Sequence, residues 1–173
     1  MPPADQCVGD LVVADIGIPK EIIDAVDGER LEVVTLESVR ELISARPVDA
    51  HKGDFGHVLI VAGSIGMSGA ASLAGQGALR SGAGLVTVAT PRSCLSAVAA
   101  AAPEYKTLPL PETADGRIDA EALDVLMNIR CDVIAAGPGL GTGTGARAVV
   151  HGLVEGTDVP LLLDADALNV FAV

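Results

Sequence analysis

Two glycine-rich segments are where this sequence could do chemistry. The first, GSIGMSGAAS, follows the apolar run HVLIVA and places Gly63, Gly66 and Gly69 three residues apart before a helix-like stretch. Glycine lets the backbone turn tightly and approach a ligand, and the N-terminus of the next helix offers free N–H groups to an anion. No Gly-Lys-Ser/Thr follows, so this is not the phosphate loop of NTPases. Close packing of the helix on the strand, without a ligand, is the alternative.

The second segment, GPGLGTGTGA, follows CDVIAA and has glycine at every other position from Gly137 to Gly145. Its last six residues fit the pattern GxGxxA, and Asp164 lies 23 residues after Gly141, at the end of the next apolar run. A dinucleotide-binding unit carries its acidic residue at that place, so a nicotinamide-dependent oxidoreductase is one hypothesis. Pro138 restricts the turn, and the glycines begin at the end of the strand. Both features weigh against that hypothesis.

Polar side chains follow the last apolar run, in DADALN. Carboxylates at the end of a strand can hold Mg²⁺, accept a ribose hydroxyl or cap the following helix. We take Asp164, Asp166 and Asn169 as substrate-binding candidates, with capping an equal alternative for Asp166. Lys52 could meet a phosphate or lie in a solvated turn. The three histidines lack metal-ligand spacing, so we expect no metal site built on them.

The stretches around these loops alternate between strand-like and helix-like patterns. Strands are predicted at 58–62, 85–90, 133–136 and 161–163, and helices at 69–81, 93–102, 119–129 and 146–154. Such alternation predicts a parallel sheet with helices on its faces. Ligands bind such sheets beyond the carboxyl ends of the strands, so both glycine loops should converge at one edge. Residues 103–116 are predicted to form one long irregular connection.

The first 50 residues have a different pattern. Leu11 to Ala14 is a short strand candidate, and Thr35 is placed to cap a helix with Glu37 in its first turn. That helix should end near Arg46 and Pro47, and a new segment opens at His51.

Composition limits the possible functions. The chain has 173 residues, 50% hydrophobic, which suits one compact domain or part of a larger one. A net charge of −12 excludes nucleic acid and anionic membrane surfaces as partners. Three widely spaced cysteines and the absence of a signal-peptide pattern indicate a cytoplasmic location. The longest uncharged stretch, 58–79, is interrupted by five glycines and is not predicted to span a membrane.

Together these stretches resemble the ADP-dependent NAD(P)H-hydrate dehydratases, whose domain is carbohydrate-kinase-like. The resemblance covers residues 51–173 and is carried, in order, by HKGDFGHVLIVAGSIGMSGAASLAGQGALRSGAGLVTVATP, Pro103–Glu104, GPGLG and LLLDADALN. Residues 1–19, with GDLVVADIGIP, resemble the tail of the NAD(P)H-hydrate epimerase domain that precedes the dehydratase in bifunctional members. Residues 20–50 would then be a linker and helix.

The resemblance implies a ribokinase-like fold, a three-layer αβα sandwich with a mostly parallel sheet. It implies a lyase that uses ADP or ATP, with Mg²⁺, to remove water from the S epimer of hydrated NADH or NADPH. Phosphorylation would make the ring hydroxyl a good leaving group. The hydrate site would be lined by the first glycine loop, with Gly66, Gly69 and Ala70, and by Gly137, Gly139 and Gly141 of the second. Lys52, chosen for its place beside His51 and Gly53, is the candidate nucleotide contact. Ala70 and Gly139 should face a common cleft, where bulky replacements block the ligand without unfolding the chain.

The family also carries a HPGE-like segment, a nucleotide loop and a GxGD motif with the expected catalytic aspartate, and none occurs in these 173 residues. We therefore expect a domain represented to about half its length, with its catalytic residues elsewhere. An open sheet edge should favour self-association, as a homo-oligomer, or association with the missing half. A natural fragment, a split protein and a partial sequence all remain open. So do a non-catalytic nucleotide- or partner-binding module and the oxidoreductase.

Overall fold

Two units make up the chain, Met1–Ala45 and Arg46–Val173. The computed structural model describes residues 6–10, 12, 14–28, 34–43 and 45–172. In the first unit lie the helices α1 (Lys20–Asp24) and α2 (Leu36–Leu42). Thr35 caps α2 as predicted, because its Oγ1 accepts from the Ser38 N–H at 3.2 Å.

The predicted strand at 11–14 is only partly within the described residues. Leu11 and Val13 lie outside them, and Val12 and Ala14 belong to no strand.

The second unit is built on five parallel strands in the order β3-β2-β1-β4-β5. The strands are β1 (His57–Val61), β2 (Leu85–Pro91), β3 (Lys106–Leu110), β4 (Val133–Ala136) and β5 (Leu161–Leu163). In the centre, Leu59 of β1 is in register with Thr87 of β2 and Ile134 of β4. The α/β fold with a parallel sheet is confirmed.

The prediction that residues 103–116 are irregular is wrong, because they contain β3. Pro109 lies within that strand, opposite Thr90. Proline lacks a backbone N–H and is tolerated in a strand only at a sheet edge or bulge. In the described sheet β3 pairs with β2 alone, so the edge position explains how Pro109 fits and why the local pattern hid the strand.

Helices cover both faces of the sheet. One face carries α3 (Ser68–Arg80) and α4 (Leu95–Ala101), and the other carries α5 (Ala122–Met127), α6 (Thr144–Gly156) and α7 (Asp166–Asn169). Alternate residues of β1 serve the two cores, since Ile60 packs with α3 and Leu59 with α6. None of the helices in the described ranges is long and apolar enough to cross a bilayer.

The direction of winding reverses between β1 and β4. The connections from β1 to β2 and β3 run over one face, through α3 and α4, whereas those from β3 to β4 and β5 run over the other, through α5 and α6. A crevice opens at such a reversal, beyond the carboxyl ends of the two strands, and is the usual ligand site in open α/β sheets. The two glycine loops are the segments that follow β1 and β4.

Candidate active site

The two glycine loops lie against each other at the carboxyl edge of the sheet. The Gly63 N–H donates to the Pro138 carbonyl at 2.9 Å, and the buried Ser64 hydroxyl donates to the Gly139 carbonyl at 2.7 Å. A Cβ added to Gly139 would lie 3.1 Å from the Cβ of Ala70. The predicted convergence of the two loops is therefore confirmed, with Ala70 and Gly139 as neighbours.

Gly139 differs from Ala70 in how much space surrounds it. It is buried, its φ is +71°, and an added Cβ would lie 2.9 Å from the Cβ of Met67. The expectation that a bulky residue at Gly139 leaves the fold intact is therefore wrong. Ala70 is half-buried in the first turn of α3 and is the better position for such a test.

The other two glycines of the first loop border open space. No atom lies within 4 Å of a Cβ built on Gly66 or Gly69. Gly66 has a φ of +84°, which glycine adopts at no steric cost. Beside them stand the exposed side chains of Ile65 and Met67, with 61% and 50% of their surface accessible. This side of the crevice is open and partly apolar.

Gly137 joins the second loop to the DADALN segment. With a φ of +137°, it brings the backbone so close that an added Cβ would collide with the Asp164 carbonyl oxygen. The Asp164 N–H donates to the Ala136 carbonyl at 3.1 Å. Packing of backbone on backbone thus accounts for glycine at this position without any ligand.

Asp166 holds the second loop from the other side. Its Oδ2 accepts from the Gly141 N–H at 2.8 Å, and its Oδ1 accepts from the Asn169 amide at 3.2 Å. Asp166 does not cap its own helix, because the N-cap of α7 is Ala165. Asp166 therefore joins the second loop to the DADALN segment.

The residue between the two aspartates is strained. Ala165 has a φ of +49°, and within the described ranges it is the one non-glycine residue with positive φ. Such a conformation costs on the order of 1–3 kcal/mol and is concentrated at functional sites. The exposed Asp164 carboxylate next to it makes no hydrogen bond or ion pair with the described part of the chain. It is available to a ligand or to another segment.

A segment that the sequence pattern did not reveal, residues 112–118, supports the first loop. Glu112 and Ile118 form an antiparallel bridge, and the Gly116 carbonyl at its turn accepts from the Ile65 N–H at 3.1 Å. Arg117 reaches the second loop, with its Nη1 2.5 Å from where a Cβ of Gly141 would lie. The Asp-Gly pair at 115–116 was the available signal, since it is typical of tight hairpin turns.

Two carboxylates of this bracing segment are stabilised in their charged form. The Ser93 backbone N–H and hydroxyl both donate to Glu112, at 2.9 and 2.7 Å, and lower the pKa of that carboxyl. The Thr113 hydroxyl, helped by Arg117, lowers the pKa of Asp115. Above acidic pH, the charged Glu112 therefore ties the start of the segment to Ser93, and the charged Asp115 holds its turn together.

Thr90, at the end of β2, was also missed. Its hydroxyl is fully buried, and among the described side chains it is the one buried polar group without a hydrogen-bond partner. It lies 2.9 Å from where a Cβ of Gly63 would be, directly under the first loop. An unpaired buried hydroxyl costs about 1–3 kcal/mol. The unpaired Thr90 hydroxyl and the strained Ala165 backbone, which both cost free energy, lie beside the crevice.

Lys52 is separated from the other candidates. It lies in a 3-10 helix, Lys52–Phe55, immediately before β1 begins, whereas the glycine loops follow the ends of β1 and β4. A five-residue parallel strand is about 16 Å long, so the two edges are that far apart. The structure therefore does not bring Lys52 to the crevice.

Among the described residues, no three or more His, Cys, Asp or Glu side chains are grouped so that they could hold a metal ion. The crevice thus offers glycine backbone, Ala70 and two aspartates. Those groups suit binding and positioning of an organic ligand.

Comparison with known proteins identifies the family. The carbohydrate-kinase family model described as NAD(P)H-hydrate dehydratase matches residues 58–173. The bifunctional NAD(P)H-hydrate repair enzyme Nnr of Moorella thermoacetica is 40% identical over 98% of this chain and 32% of its own length. The ADP-dependent (S)-NAD(P)H-hydrate dehydratase of Lactiplantibacillus plantarum is 37% identical over 82% of this chain and 49% of its own.

Solved structures of similar proteins support the same family. The ADP/ATP-dependent NAD(P)H-hydrate dehydratase of Bacillus subtilis, co-crystallised with ATP/Mg²⁺, is 31% identical with a TM-score of 0.63, over 78% of this chain and 46% of its own. A ribokinase-like superfamily protein of Enterococcus faecalis has a TM-score of 0.66 at 27% identity, over 84% and 51%. The chain thus spans a third to a half of the proteins it matches. Because the family model matches more than half of its residues, the chain belongs to the NAD(P)H-hydrate dehydratase family.

Proposed function

We propose that this chain forms the substrate-binding half of an ADP- or ATP-dependent dehydratase acting on the S epimer of hydrated NADH or NADPH. The observation that carries the proposal is the joining of the two glycine loops at the winding reversal, inside the region that the family model matches. The activity is nicotinamide nucleotide repair, and the names of the relatives support both the substrate and the use of ADP.

The proposed reaction has two stages. The ring hydroxyl gives up its proton and its oxygen attacks the terminal phosphorus of the nucleotide, while the donor P–O bond breaks and the nucleotide, shortened by one phosphate, leaves. The ring nitrogen then donates its electron pair, the ring C–O bond breaks and phosphate leaves. Loss of a proton from the neighbouring ring carbon restores the dihydronicotinamide. We assign the groups that transfer these protons to the part of the dehydratase domain that lies outside the region matched by this chain.

The role of this chain in the reaction is to bind and orient the hydrated ring. Ala70, with Gly66 and Gly69 open beside it, presents a surface of small residues between Ile65 and Met67, against which the amide-bearing ring can lie. The bond from Gly141 to Asp166 holds the second loop in place behind that surface. Correct positioning of substrate is a large part of phosphoryl-transfer catalysis.

ADP or ATP, with Mg²⁺, completes the proposal. Their binding is supported by the relatives' names and by the ATP/Mg²⁺ in the Bacillus subtilis crystal, not by a ligand set in the described residues. Lys52 lies at the amino end of the strands, opposite the crevice. It stays a candidate nucleotide contact only if a further segment binds the phosphates at that edge of the sheet.

The first unit is proposed to be the tail of an epimerase domain, over residues 1–19, followed by a linker. The match to the bifunctional Moorella enzyme covers 98% of the chain, whereas that to the single-function dehydratase covers 82%. A cytoplasmic location is part of the same proposal, since none of the three cysteines forms a disulfide.

The test joins this chain to the part of the Lactiplantibacillus plantarum dehydratase that follows the matched region. The 173 residues alone should not convert NADPH hydrate with ADP or ATP, and the joined protein should, with recovery of the dihydronicotinamide absorbance as the measurement. Ala70→Trp in the joined protein should abolish turnover, because the indole fills the proposed ring surface.

Ala100→Trp is the matched control, since Ala100 is exposed on α4, away from the crevice. It should leave turnover within about twofold of the parent, as for surface substitutions of small energetic effect. Full activity of a folded Ala70→Trp protein would show that the first loop does not bind the substrate.

A further inference from the structure

Thr90, near the carboxyl end of β2, is a buried polar residue to which the proposed reaction gives no role. Its side chain is fully buried, and its hydroxyl has no hydrogen-bond partner among the described residues. Buried polar groups in folded proteins nearly always have a partner, either in the protein or in ordered water. The exception at Thr90 therefore requires a physical explanation.

The same strand contains a buried threonine of the ordinary kind. Thr87 lies three residues earlier in β2, and its hydroxyl oxygen is 2.8 Å from the Nε2 atom of His57 in β1, within hydrogen-bond distance. Of these two buried hydroxyls, the one that lacks a partner within the described ranges is the one beside the crevice. The missing bond is thus a property of the crevice edge and not of the strand.

The first glycine loop contacts the Thr90 hydroxyl without bonding to it. A Cβ built on Gly63 would lie 2.9 Å from the Thr90 Oγ1 atom. The peptide unit between Gly63 and Ser64 is unpaired as well, since neither its carbonyl nor its N–H makes a hydrogen bond within the described part of the chain, although both residues are buried. An unpaired donor and an unpaired acceptor therefore lie on adjoining segments.

We propose that Thr90 is a positioning residue of the first glycine loop, and that its hydroxyl gains an acceptor, the Gly63 carbonyl, when the hydrated nicotinamide ring binds. Rotation of the peptide after Gly63 breaks none of the bonds just described, and glycine tolerates the change in backbone angles. The ring is proposed to lie on Gly66, Gly69 and Ala70 of the same loop, so its binding can shift the backbone at Gly63. The inference thus rests on the proposed function.

The proposal gives the Thr90 hydroxyl opposite effects in the two states of the loop. Without ligand the unpaired hydroxyl destabilises the folded chain. With ligand its new bond stabilises the complex, so the ligand favours the rotated state by the difference between the two. Removing the hydroxyl should therefore make the free chain more stable and ligand binding weaker. A hydroxyl with a purely structural role would not produce this pair of effects.

Thr90→Val tests the proposal, because valine keeps the shape of threonine and lacks the hydroxyl. In the 173 residues without ligand, the urea midpoint of unfolding should rise. In the joined protein without nucleotide, the Kd for NADPH hydrate should rise about tenfold, the size of one lost hydrogen bond. With ADP the KM should rise equally and kcat should not change, because the bond persists in the transition state. Thr90→Ser, which keeps the hydroxyl, should restore Kd and KM to within about twofold of the parent.

Thr87→Val is the matched control on the same strand. It removes a hydroxyl that has a partner, so it should lower the urea midpoint and leave Kd and KM unchanged. A midpoint that does not rise in Thr90→Val would overturn the proposal, because the Thr90 hydroxyl would then already be paired, as with a buried water. An unchanged Kd in Thr90→Val, when the joined parent binds the hydrate, would overturn this inference alone. A joined parent that does not bind the hydrate would overturn the proposed function and this inference with it.

Discussion

In the first glycine loop, Gly66 and Gly69 border open space, whereas in the second loop Gly137 and Gly139 sit where any side chain would meet protein atoms. The atoms that exclude a side chain from Gly137 belong to the backbone of Asp164, and those at Gly139 belong to Met67 and Ala70. Glycine therefore has different physical causes at positions that look alike as sequence. At Gly66 and Gly69 it keeps surface free, and at Gly137 and Gly139 it permits close packing.

This difference distinguishes positions that offer surface to a ligand from positions that are held by packing. The second loop is locked between the first loop and Asp166, through Ser64 and Gly141. The first loop keeps the half-buried Ala70 and two side-chain-free positions toward the crevice. Substitutions at Gly137 and Gly139 should thus affect folding, whereas substitutions at Ala70 should affect ligand binding.

The largest effect is expected for Gly137→Ala. The added Cβ collides with a backbone oxygen that cannot move away, and a φ of +137° is one that alanine rarely adopts. The free energy of unfolding, measured by denaturant titration, should fall by at least about 3 kcal/mol. Gly143→Ala is the control from the same loop, since its φ is −66° and no atom lies within 4 Å of its Cβ. A loss at Gly137 below about 1 kcal/mol, the size expected of an ordinary substitution, would refute the close-packing explanation.

A smaller effect is expected at Gly66, where space is free and only the positive φ disfavours a side chain. Gly66→Ala should lower the free energy of unfolding by about 1–2 kcal/mol, because its φ is +84°. Gly69→Ala is the matched variant three residues on, inside α3 with ordinary helical backbone, and should raise the free energy of unfolding by up to about 1 kcal/mol. The same sign for both variants in urea titration would contradict the assigned backbone strain.

The smallest effect concerns the segment that braces the first loop. Glu112→Gln should cost about 1 kcal/mol at neutral pH, because the charged acceptor for both Ser93 donors is lost. The pKa of Glu112 is lowered in the folded chain. Its stabilisation is therefore complete above the ordinary glutamate pKa and disappears as pH falls through the folded value.

Urea titrations of parent and Glu112→Gln at a series of pH values check this sign. The difference between them should shrink toward zero in acid. A difference that is constant with pH would mean that the two serine contacts do not depend on the carboxylate charge. Ser96→Ala, on the exposed surface of α4, is the control that should show no pH-dependent difference.

Much of the scaffold could be predicted from local pattern. The strands β1, β2, β4 and β5 are short apolar runs followed by turn residues, and a parallel sheet places the loops after β1 and β4 at one edge. The exception, β3, contains Pro109, and only its edge position beside β2 makes that proline acceptable. The distance of Lys52 from the crevice could have been predicted, because Lys52 precedes β1 in the sequence whereas both glycine loops follow strands of the parallel sheet.

By itself, the sequence determined the fold class, the family, the two glycine loops and their shared edge, because hydrophobic periodicity and the order of motifs are local properties. Only the tertiary structure decided which glycines are needed for packing, that the buried Thr90 hydroxyl lacks a partner among the described residues, and which face of β4 and β5 lacks a helix there. Those questions depend on atoms far apart in the chain. Whether a side chain fits at Gly137, for example, depends on the backbone of Asp164. That backbone approaches Gly137 only when the two distant segments pack together.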